Sequence, residues 1–227
     1  MADPSCLDNP IWNALNSSHS TLALVRGLAA RYPDDVSPLA GLKTATPKAF
    51  ADLAHLVPIG TEVGLFTTTP PDVPARWTVM RNLWIDQMVW EQAEPATRTS
   101  LLELRQEDVP DMLALAAATE PGPFSEGTIR MGRYRGVRSA GGRLIAMAGE
   151  RLRLDGFTEI SAVCTVSEFR GQGLGRTLVE ALTSLLISEG RTPFLHVKTE
   201  NGAKQLYERI GFRVRRQIRL TVISRSS

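Results

Sequence analysis

Apolar residues along this chain follow two spacings, one typical of strands and the other typical of helices. Short continuous or alternating apolar runs predict strands, whereas apolar residues three and four positions apart predict helices. In the second half of the chain the two patterns follow one another in a regular order. They predict strands at 99–104, 157–166 and 194–197, a hairpin around the turn at 140–142, helices at 107–119 and 201–210, a helix that carries Leu174, Leu178, Leu182 and Leu185, and a terminal strand or strand pair from residue 212.

The first half of the chain carries weaker patterns. They predict two helices, STLALVRGLAARY (20–32) and TPKAFADLAHLV (46–57), and two strands, EVGLFTTT (62–69) and WTVMRNLWIDQMVW (77–90). This mixture is typical of an α/β unit. We find no recognisable catalytic signature in it.

A polar, proline-containing stretch separates the two halves. EQAEPATRTS (91–100) has the composition of a linker between ordered segments. We therefore divide the chain into an α/β half at residues 1–95 and a domain at residues 99–227. The order of strands and helices in the second part gives it the mixed α+β fold class.

Composition and cysteine usage narrow the class of protein. The chain has 227 residues, 43% hydrophobic and 22% charged, which is typical of a soluble globular protein. No apolar run approaches the roughly 20 residues that span a bilayer, and the acidic N-terminus lacks the pattern of a secretory signal. Cys6 and Cys164 are far apart and suggest no disulfide framework. We therefore expect a cytoplasmic protein.

The net charge of +2 hides a basic C-terminal segment. Residues 191–227 hold nine basic and two acidic residues. Such a run either forms a solvated strand face or attracts a polyanionic ligand. No interleaved aromatic residues or nucleic-acid motif accompany it, so we favour a phosphorylated cofactor over nucleic acid. The three histidines are scattered and no Cys/His cluster has zinc spacing, so we expect no metal.

Three glycines stand where one of the predicted helices begins. Gly171, Gly173 and Gly175 follow the strand at 157–166, and the free N–H groups of a helix N-terminus bind anions. Glycine lets phosphate oxygens approach the backbone because no Cβ stands in the way. The sequence fits neither a dinucleotide-binding fingerprint nor a Walker loop. It does contain Arg-x-x-Gly-x-Gly, formed by Arg170, Gly173 and Gly175.

This pattern resembles the pyrophosphate loop of the GNAT superfamily, whose members are acyl-CoA-dependent N-acyltransferases. LYERIGF (206–212), about 35 residues further on, is similar to the second signature helix and strand of that superfamily. The resemblance covers residues 99–220 and is greatest to the FR47-like branch. It implies a mixed central sheet flanked by helices. By its size and α/β character, the first half resembles the degenerate N-terminal half of some two-half members.

The resemblance implies that acetyl-CoA binds here as a cosubstrate. Loop amides would cradle its pyrophosphate, and the end of the central strand would pair with its pantetheine arm. That strand would diverge from FLHVK (194–198) and leave a slot, and Asn201 would cap the last helix and touch the cosubstrate. The residues implied are Val163, Cys164, Thr165, Arg170, Gly171, Gln172, Gly173, Leu174, Gly175, Arg176 and Asn201.

Acyl transfer to an amine requires a base for the amine and an acid for the departing thiolate. The resemblance makes Glu159 the base, working through water, and the apolar residues after it predict a pKa raised toward neutrality. The alternative is a glutamate at the solvent rim. The resemblance makes Tyr207 the acid, and the alternative is an aromatic core anchor. For His196 we favour a satisfied sheet residue over an auxiliary base, and for Cys164 a small core residue over an acyl carrier.

The amine acceptor is the part of the reaction that the sequence describes least. The resemblance implies that it enters beside TEPGPFSEG (119–127) and the following arginines. Arg130, Arg133 and Arg135 either favour an acidic acceptor or form a solvated face, and we favour the second alternative.

Together these features predict an N-acetyltransferase that moves an acetyl group from acetyl-CoA to a primary amine by direct transfer. The alternative is a non-catalytic CoA-binding sensor or interaction protein on the same fold, which needs only the glycine loop. The expected partners are acetyl-CoA and an unidentified amine, with no membrane and no nucleic acid. A homodimer is compatible with the sequence.

Overall fold

The computed structural model describes residues 3–92 and 101–226, in which eleven strands form one mixed sheet. Residues 93–100 include most of the predicted linker, so the division into residues 1–95 and 99–227 stays a prediction. The strands are β1 (Leu24–Arg26), β2 (Ala29–Arg31), β3 (Leu39–Leu42), β4 (Glu62–Thr67), β5 (Trp77–Trp90), β6 (Leu102–Leu104), β7 (Tyr134–Arg138), β8 (Leu144–Leu154), β9 (Phe157–Thr165), β10 (Thr192–Lys198) and β11 (Phe212–Arg225).

Helices cover both faces of this sheet. Ala146 and Ala148 of β8 pack in one cluster with helix α4 (Leu174–Ser188), whereas Ile145 and Met147, on the opposite face, pack with helix α3 (Val109–Thr119). No helix in the two described ranges is long and apolar enough to cross a membrane. The helices are α1 (Pro10–Leu15), α2 (Pro47–Ala54), α3 (Val109–Thr119), α4 (Leu174–Ser188) and α5 (Ala203–Ile210).

Each half of the chain places its last strand in the sheet of the other half. The strand order is β1-β2-β3-β4-β11-β5-β10-β9-β8-β7-β6, so β5 lies between β11 and β10, and β11 lies between β4 and β5. The antiparallel β5–β11 ladder runs from Trp90 opposite Phe212 to Trp77 opposite Arg225. The two halves therefore share one continuous sheet.

The two halves also repeat one arrangement of elements. In the first half β1, β2 and β3 are antiparallel, and α2 leads to β4, which is parallel to β3. In the second half β7, β8 and β9 are antiparallel, and α4 leads to β10, which is parallel to β9.

The structure confirms the α+β class and most of the predicted elements. Strand β5 has the bounds that the sequence predicts, and α2 begins at Pro47 after Thr46, whose hydroxyl oxygen accepts a hydrogen bond from the Ala49 N–H at 3.3 Å. The terminal segment forms one long strand, β11, rather than a pair.

The predicted helix at 20–32 is wrong. This segment forms a short 3-10 turn followed by β1 and β2, which are joined by a tight turn at Gly27 and Leu28. Gly27 has φ +52°, and Asp52 of α2 accepts a hydrogen bond from the Leu28 N–H at 2.9 Å. A contact with a distant helix therefore overrides the local helical spacing.

The exchange of β5 and β11 predicts that neither half folds alone. A fragment of residues 101–227 lacks β5, so the facing edges of β10 and β11 lose their hydrogen-bonded neighbour. We expect it to show no cooperative unfolding transition by circular dichroism in urea. Co-expression with residues 1–92 should restore the transition. A cooperative transition in the isolated fragment would contradict this prediction.

Candidate active site

Strands β9 and β10 run parallel for three rungs and then separate. The rungs pair Phe157 with Thr192, Thr158 with Pro193 and Glu159 with Phe194. Beyond Glu159, β9 continues to Thr165 and β10 to Lys198 without pairing to each other. We call this opening the fork. It is the slot that the sequence resemblance implied, and it leaves the facing edge of β9 without a strand partner.

A bulge interrupts β9 along this free edge. Gly149 pairs with Ser161 and Met147 pairs with Cys164, so β9 has one residue more than β8 in this interval. Ala162 lies in the bulge with φ +52°, which is uncommon for a residue other than glycine. Such strained backbone clusters at functional sites. The apolar run that predicts a strand at 157–166 gives no sign of the extra residue.

The glycine loop connects the end of β9 to α4. Gly171 and Gly173 adopt φ +80° and +79°, and Gly173 is the N-cap of α4. The Arg170 side chain donates from Nε to the Thr165 carbonyl oxygen at 3.2 Å, which ties the loop to β9. Residues 170–173 and Arg176 are exposed, whereas Leu174 and Gly175 are half-buried.

This loop presents a set of free backbone donors. None of the N–H groups of residues 171–176 donates to an acceptor within the described part of the chain. A Cβ added at Gly171 or Gly173 would meet no atom within 4 Å, so the space above the backbone is open. Free N–H groups with open space at the N-terminus of a helix suit a pyrophosphate.

Glu159 lies on the last rung before the fork, and its side chain is fully buried. Oε2 accepts from Arg151 Nε at 2.8 Å and from the Leu152 N–H at 3.3 Å. Oε1 accepts from Arg151 Nη2 at 2.5 Å and from His196 Nδ1 at 2.7 Å. The carboxylate therefore joins β8, β9 and β10 where the fork opens, and its acceptor sites are all used.

His196 extends this network into the first half of the chain. Its Nε2 lies 3.1 Å from Nε2 of Gln87, which donates, so His196 carries its hydrogen on Nδ1 and donates it to Glu159. Gln87 also donates to the Leu7 carbonyl oxygen at 2.8 Å, and its Oε1 accepts from Arg215 at 3.0 Å. His196 is the satisfied sheet residue that the sequence analysis favoured.

The expectation of a raised Glu159 pKa is wrong. Burial alone would raise the pKa, but the charge of Arg151 and the hydrogen bonds from Arg151 and His196 outweigh it and lower the pKa to about 2. The carboxylate stays ionised at neutral pH, but it has no free lone pair for a catalytic water. This arrangement does not support Glu159 as the water-relayed base, and the solvent-rim alternative is also excluded.

Comparisons with known proteins agree with this geometry. The model of the FR47-like protein family matches residues 134–220. The crystal structure of a GNAT-family protein from Novosphingobium aromaticivorans superposes with a TM-score of 0.91 and 37% identity, covering 100% of both chains. The chain belongs to the GNAT family of acetyltransferases. The predicted GNAT family is thus confirmed, and the match to the FR47-like model extends over residues 134–220.

More distant GNAT structures share the fold. A GCN5-related N-acetyltransferase from Kribbella flavida has a TM-score of 0.61 at 16% identity and covers 95% of this chain and 96% of its own. A GNAT-family acetyltransferase from Colwellia psychrerythraea has a TM-score of 0.54 at 16% identity, with 88% and 82% covered. A comparison with curated protein sequences finds no significant match.

Tyr207 of the second GNAT signature lies on α5. It packs in the cluster that contains Leu195 and Val197 of β10, and its ring centroid is 6.3 Å from that of Phe212. Burial raises the pKa of Tyr207 to about 12, so the hydroxyl is protonated at neutral pH. The hydroxyl has no hydrogen-bond partner among residues 3–92 and 101–226. It is therefore a core anchor with an unused proton.

Two further candidates behave largely as the sequence analysis expected. Cys164 is buried, and burial raises the pKa of its thiol, which suits a small core residue rather than an acyl carrier. Asn201 Oδ1 accepts from the Ala203 N–H at 2.9 Å, so it bonds the first N–H of α5 from the position before the N-cap, which is Gly202 rather than Asn201 itself. Val163, at the bulge, lies against the loop, since a Cβ on Gly175 would stand 3.8 Å from it.

The three arginines considered for an acidic acceptor are already paired. Arg130 binds Asp35 at 2.5 Å and Arg135 binds Glu103 at 2.7 Å. Arg133 binds both Glu150, which is fully buried, and Glu189, each at 2.5 Å. They form a paired surface, so they do not favour recognition of an acidic acceptor.

The position of Glu159 predicts a large stability effect and a defined pH window. Glu159→Gln leaves Arg151, whose side chain is 19% exposed, without a counter-charge, which should lower the free energy of unfolding by about 3 kcal/mol, the lower end for a buried pair. Because the folded pKa lies below its ordinary value of 4.5, the ionised form stabilises the protein above that value. This contribution is lost as the pH falls from about 4.5 to about 2. Urea unfolding at pH 7 and pH 3 measures both effects.

Glu103→Gln is the matched control, since the Glu103 side chain is 51% exposed and pairs with Arg135 at 2.7 Å. A surface pair contributes at most about 1 kcal/mol. Equal losses of stability in the two variants would contradict the structural role of Glu159.

Proposed function

We propose that this protein moves an acetyl group from acetyl-CoA to a primary amine by direct transfer. The observation that carries the proposal is the row of free N–H groups at residues 171–176 beside the fork. A helix N-terminus for a pyrophosphate and a free strand edge for an extended amide chain lie next to each other. Acetyl-CoA supplies both chemical groups, together with the thioester that reacts.

Residues of the loop and of β9 would hold the cosubstrate. The amides of Gly171 to Arg176 would bind the pyrophosphate, and Val163, Cys164 and Thr165 would pair with the pantetheine arm along the free edge of β9. Asn201, which is exposed at the start of α5, would contact the cosubstrate from the other side. The bulge at Ala162 is our candidate for the oxyanion donor, because a bulge leaves part of the strand unpaired.

Tyr207 would act as the general acid. The amine nitrogen forms a bond to the acetyl carbon, the carbon–sulfur bond breaks, and the departing sulfur takes the proton of the Tyr207 hydroxyl. A pKa near 12 keeps that proton in place until the thiolate forms. The proton of the amine would pass to solvent water, since Glu159 is fully engaged by Arg151 and His196. Solvent would then return one proton to the Tyr207 phenolate, which restores the acid.

The first half would support the fold without binding acetyl-CoA. Its arrangement of strands makes it a candidate for a degenerate GNAT-like half. However, the edge of β3 that separates from β4 is already occupied, because Asn9 donates at 2.7 Å to the Leu42 carbonyl oxygen there. The connection from β3 to α2 also contains no glycine. We expect one cosubstrate per chain. Both cysteines are free, and the cytoplasm stays our expected location.

The first prediction from this proposal concerns the loop. Gly173→Val places a branched side chain at φ +79°, in the space where phosphate oxygens would approach the backbone. Calorimetry should give one CoA site per chain for the wild type and no measurable binding for the variant. Gly190→Val is the matched control, because Gly190 has φ +71° at the other end of α4 and also faces open space. Equal CoA affinity in both variants would refute the loop assignment.

The second prediction concerns Tyr207. Tyr207→Phe removes one hydroxyl and keeps the packing of the ring, so CoA affinity should change little. Turnover on an amine that the wild type acetylates should fall by the roughly 10²–10⁴-fold that is typical of a general acid. Full turnover in this variant would assign the proton to another group. Tight CoA binding by a wild type that acetylates no amine in a broad panel would instead favour the non-catalytic sensor.

A further inference from the structure

A second cleft lies on the far side of β10 from the fork. Its volume is about 550 Å³, and it is bounded by β5, by β11 and by the loop after β10. The side chains that matter for its chemistry are Asn82, Trp84, Lys198, Glu200, Gln217 and Arg219. We call it the β10 cleft.

Arg219 is the cation at the wall of the β10 cleft. Its guanidinium carbon lies 5.0 Å from the centroid of the Trp84 ring, which fixes the group in a cation–π contact. The buried Nε has no hydrogen-bond acceptor, and the guanidinium has no carboxylate partner within the described residues. Because Arg219 lines the cleft and its terminal nitrogens donate to no acceptor within the described residues, the guanidinium can bind an acceptor that a ligand supplies.

The neighbouring arginines of β11 are engaged elsewhere. Arg215 and Arg216 bind Asp8 at 2.7 and 3.0 Å, and Arg213 donates to main-chain carbonyl oxygens of Glu208 and Phe212. The free charge of Arg219 is therefore a local feature of the cleft rather than a property of the whole strand.

The other side chains add to the same chemistry. Lys198 is exposed and has no ion-pair partner among residues 3–92 and 101–226, and Glu200 likewise has none. The Trp84 side chain is 42% exposed although it lies in a cleft. Two free cations, one free carboxylate and an aromatic surface match a small ligand that carries both a carboxylate and an amine.

The β10 cleft and the fork share a wall. Lys198 is the last residue of β10, whose free stretch borders the fork, and Asn201, our candidate cosubstrate contact, also lines the cleft. Neighbouring strands of a sheet lie about 4.8 Å apart, so a molecule a few bonds long can reach from the cleft toward the fork.

We infer that the β10 cleft binds the carboxylate of the acceptor, which makes the acceptor a small amino acid rather than a simple amine. The inference rests on the proposed function, because it takes the amine to be the nucleophile at the fork. The Arg219 guanidinium holds the carboxylate, Lys198 adds charge, and the amine end points across the end of β10.

Matched probe pairs test this inference by binding alone. Each pair differs only by a carboxylate in place of a methyl group: glycine and ethylamine, β-alanine and propylamine, γ-aminobutyrate and butylamine. Calorimetry on the full chain saturated with CoA should show binding of at least one amino acid, and at least tenfold weaker binding of its paired amine. Arg219→Gln should weaken binding of that amino acid by roughly ten- to a hundredfold and leave its amine unchanged.

Arg81→Gln is the matched control, because Arg81 is exposed on β5 next to Asn82 but does not line the cleft. It should leave every affinity unchanged. Lys198→Gln, at an exposed strand end, should weaken binding of the same amino acid by a smaller factor. This variant replaces Arg219→Gln in the test if Arg219→Gln does not fold. Equal affinity within every pair, no binding of any amino acid, or an unchanged affinity in the folded variants would overturn the inference.

Turnover separates this inference from the proposed function. If the amino acid binds with the expected dependence on Arg219 but its amine is never acetylated, the cleft assignment stands and the proposed reaction fails. If an amine is acetylated without preference for a carboxylate, the reaction stands and the cleft assignment fails.

Discussion

The antiparallel ladder between β5 and β11 is the constraint on which the rest of this structure depends. Thirteen residue pairs join the two halves, and each of the two strands also supplies a neighbour to the other half. Beyond Glu159, β10 is hydrogen-bonded to β5 and not to β9. One wall of the fork is therefore held in place by a strand from the first half of the chain. A strand that diverges from its neighbour loses the backbone hydrogen bonds on that side. On its other side, β10 stays hydrogen-bonded to β5.

The cluster of Glu159, Arg151 and His196 at the base of the fork also fixes the positions of strands. A buried ion pair is rarely stabilising compared with well-packed apolar residues, because two charges must leave water. Glu159 nevertheless lies on the last rung of the ladder, and its hydrogen bonds to Arg151 and His196 fix β8, β9 and β10 relative to one another. Directional hydrogen bonds define a strand position more sharply than apolar contacts do. The cluster is therefore best understood as a device that sets where the fork begins.

Features encoded locally were predictable, and features encoded by distant contacts were not. The glycine loop was visible because three glycines disfavour a helix, so their place at a helix start indicates backbone that a ligand approaches closely. Glu159 was found as a residue, but its environment was misjudged, since Arg151 and His196 stand 8 and 37 positions away in sequence. The bulge at Ala162 and the β1–β2 hairpin were missed for the same reason: the conformation of each depends on neighbours that the local pattern does not contain.

The arginines of this chain differ in whether the fold neutralises their charge, and the sequence does not show this difference. For both the basic surplus at residues 191–227 and the arginines at 130–135, the sequence allowed either anion binding or a solvated face. In the folded chain Arg130, Arg133 and Arg135 each form an ion pair with a carboxylate, which neutralises their charges. Arg219 meets an aromatic ring instead, which orients the guanidinium without neutralising it. A charge that is positioned but not neutralised can still bind a ligand, and this distinction separates a recognition site from a solvated face.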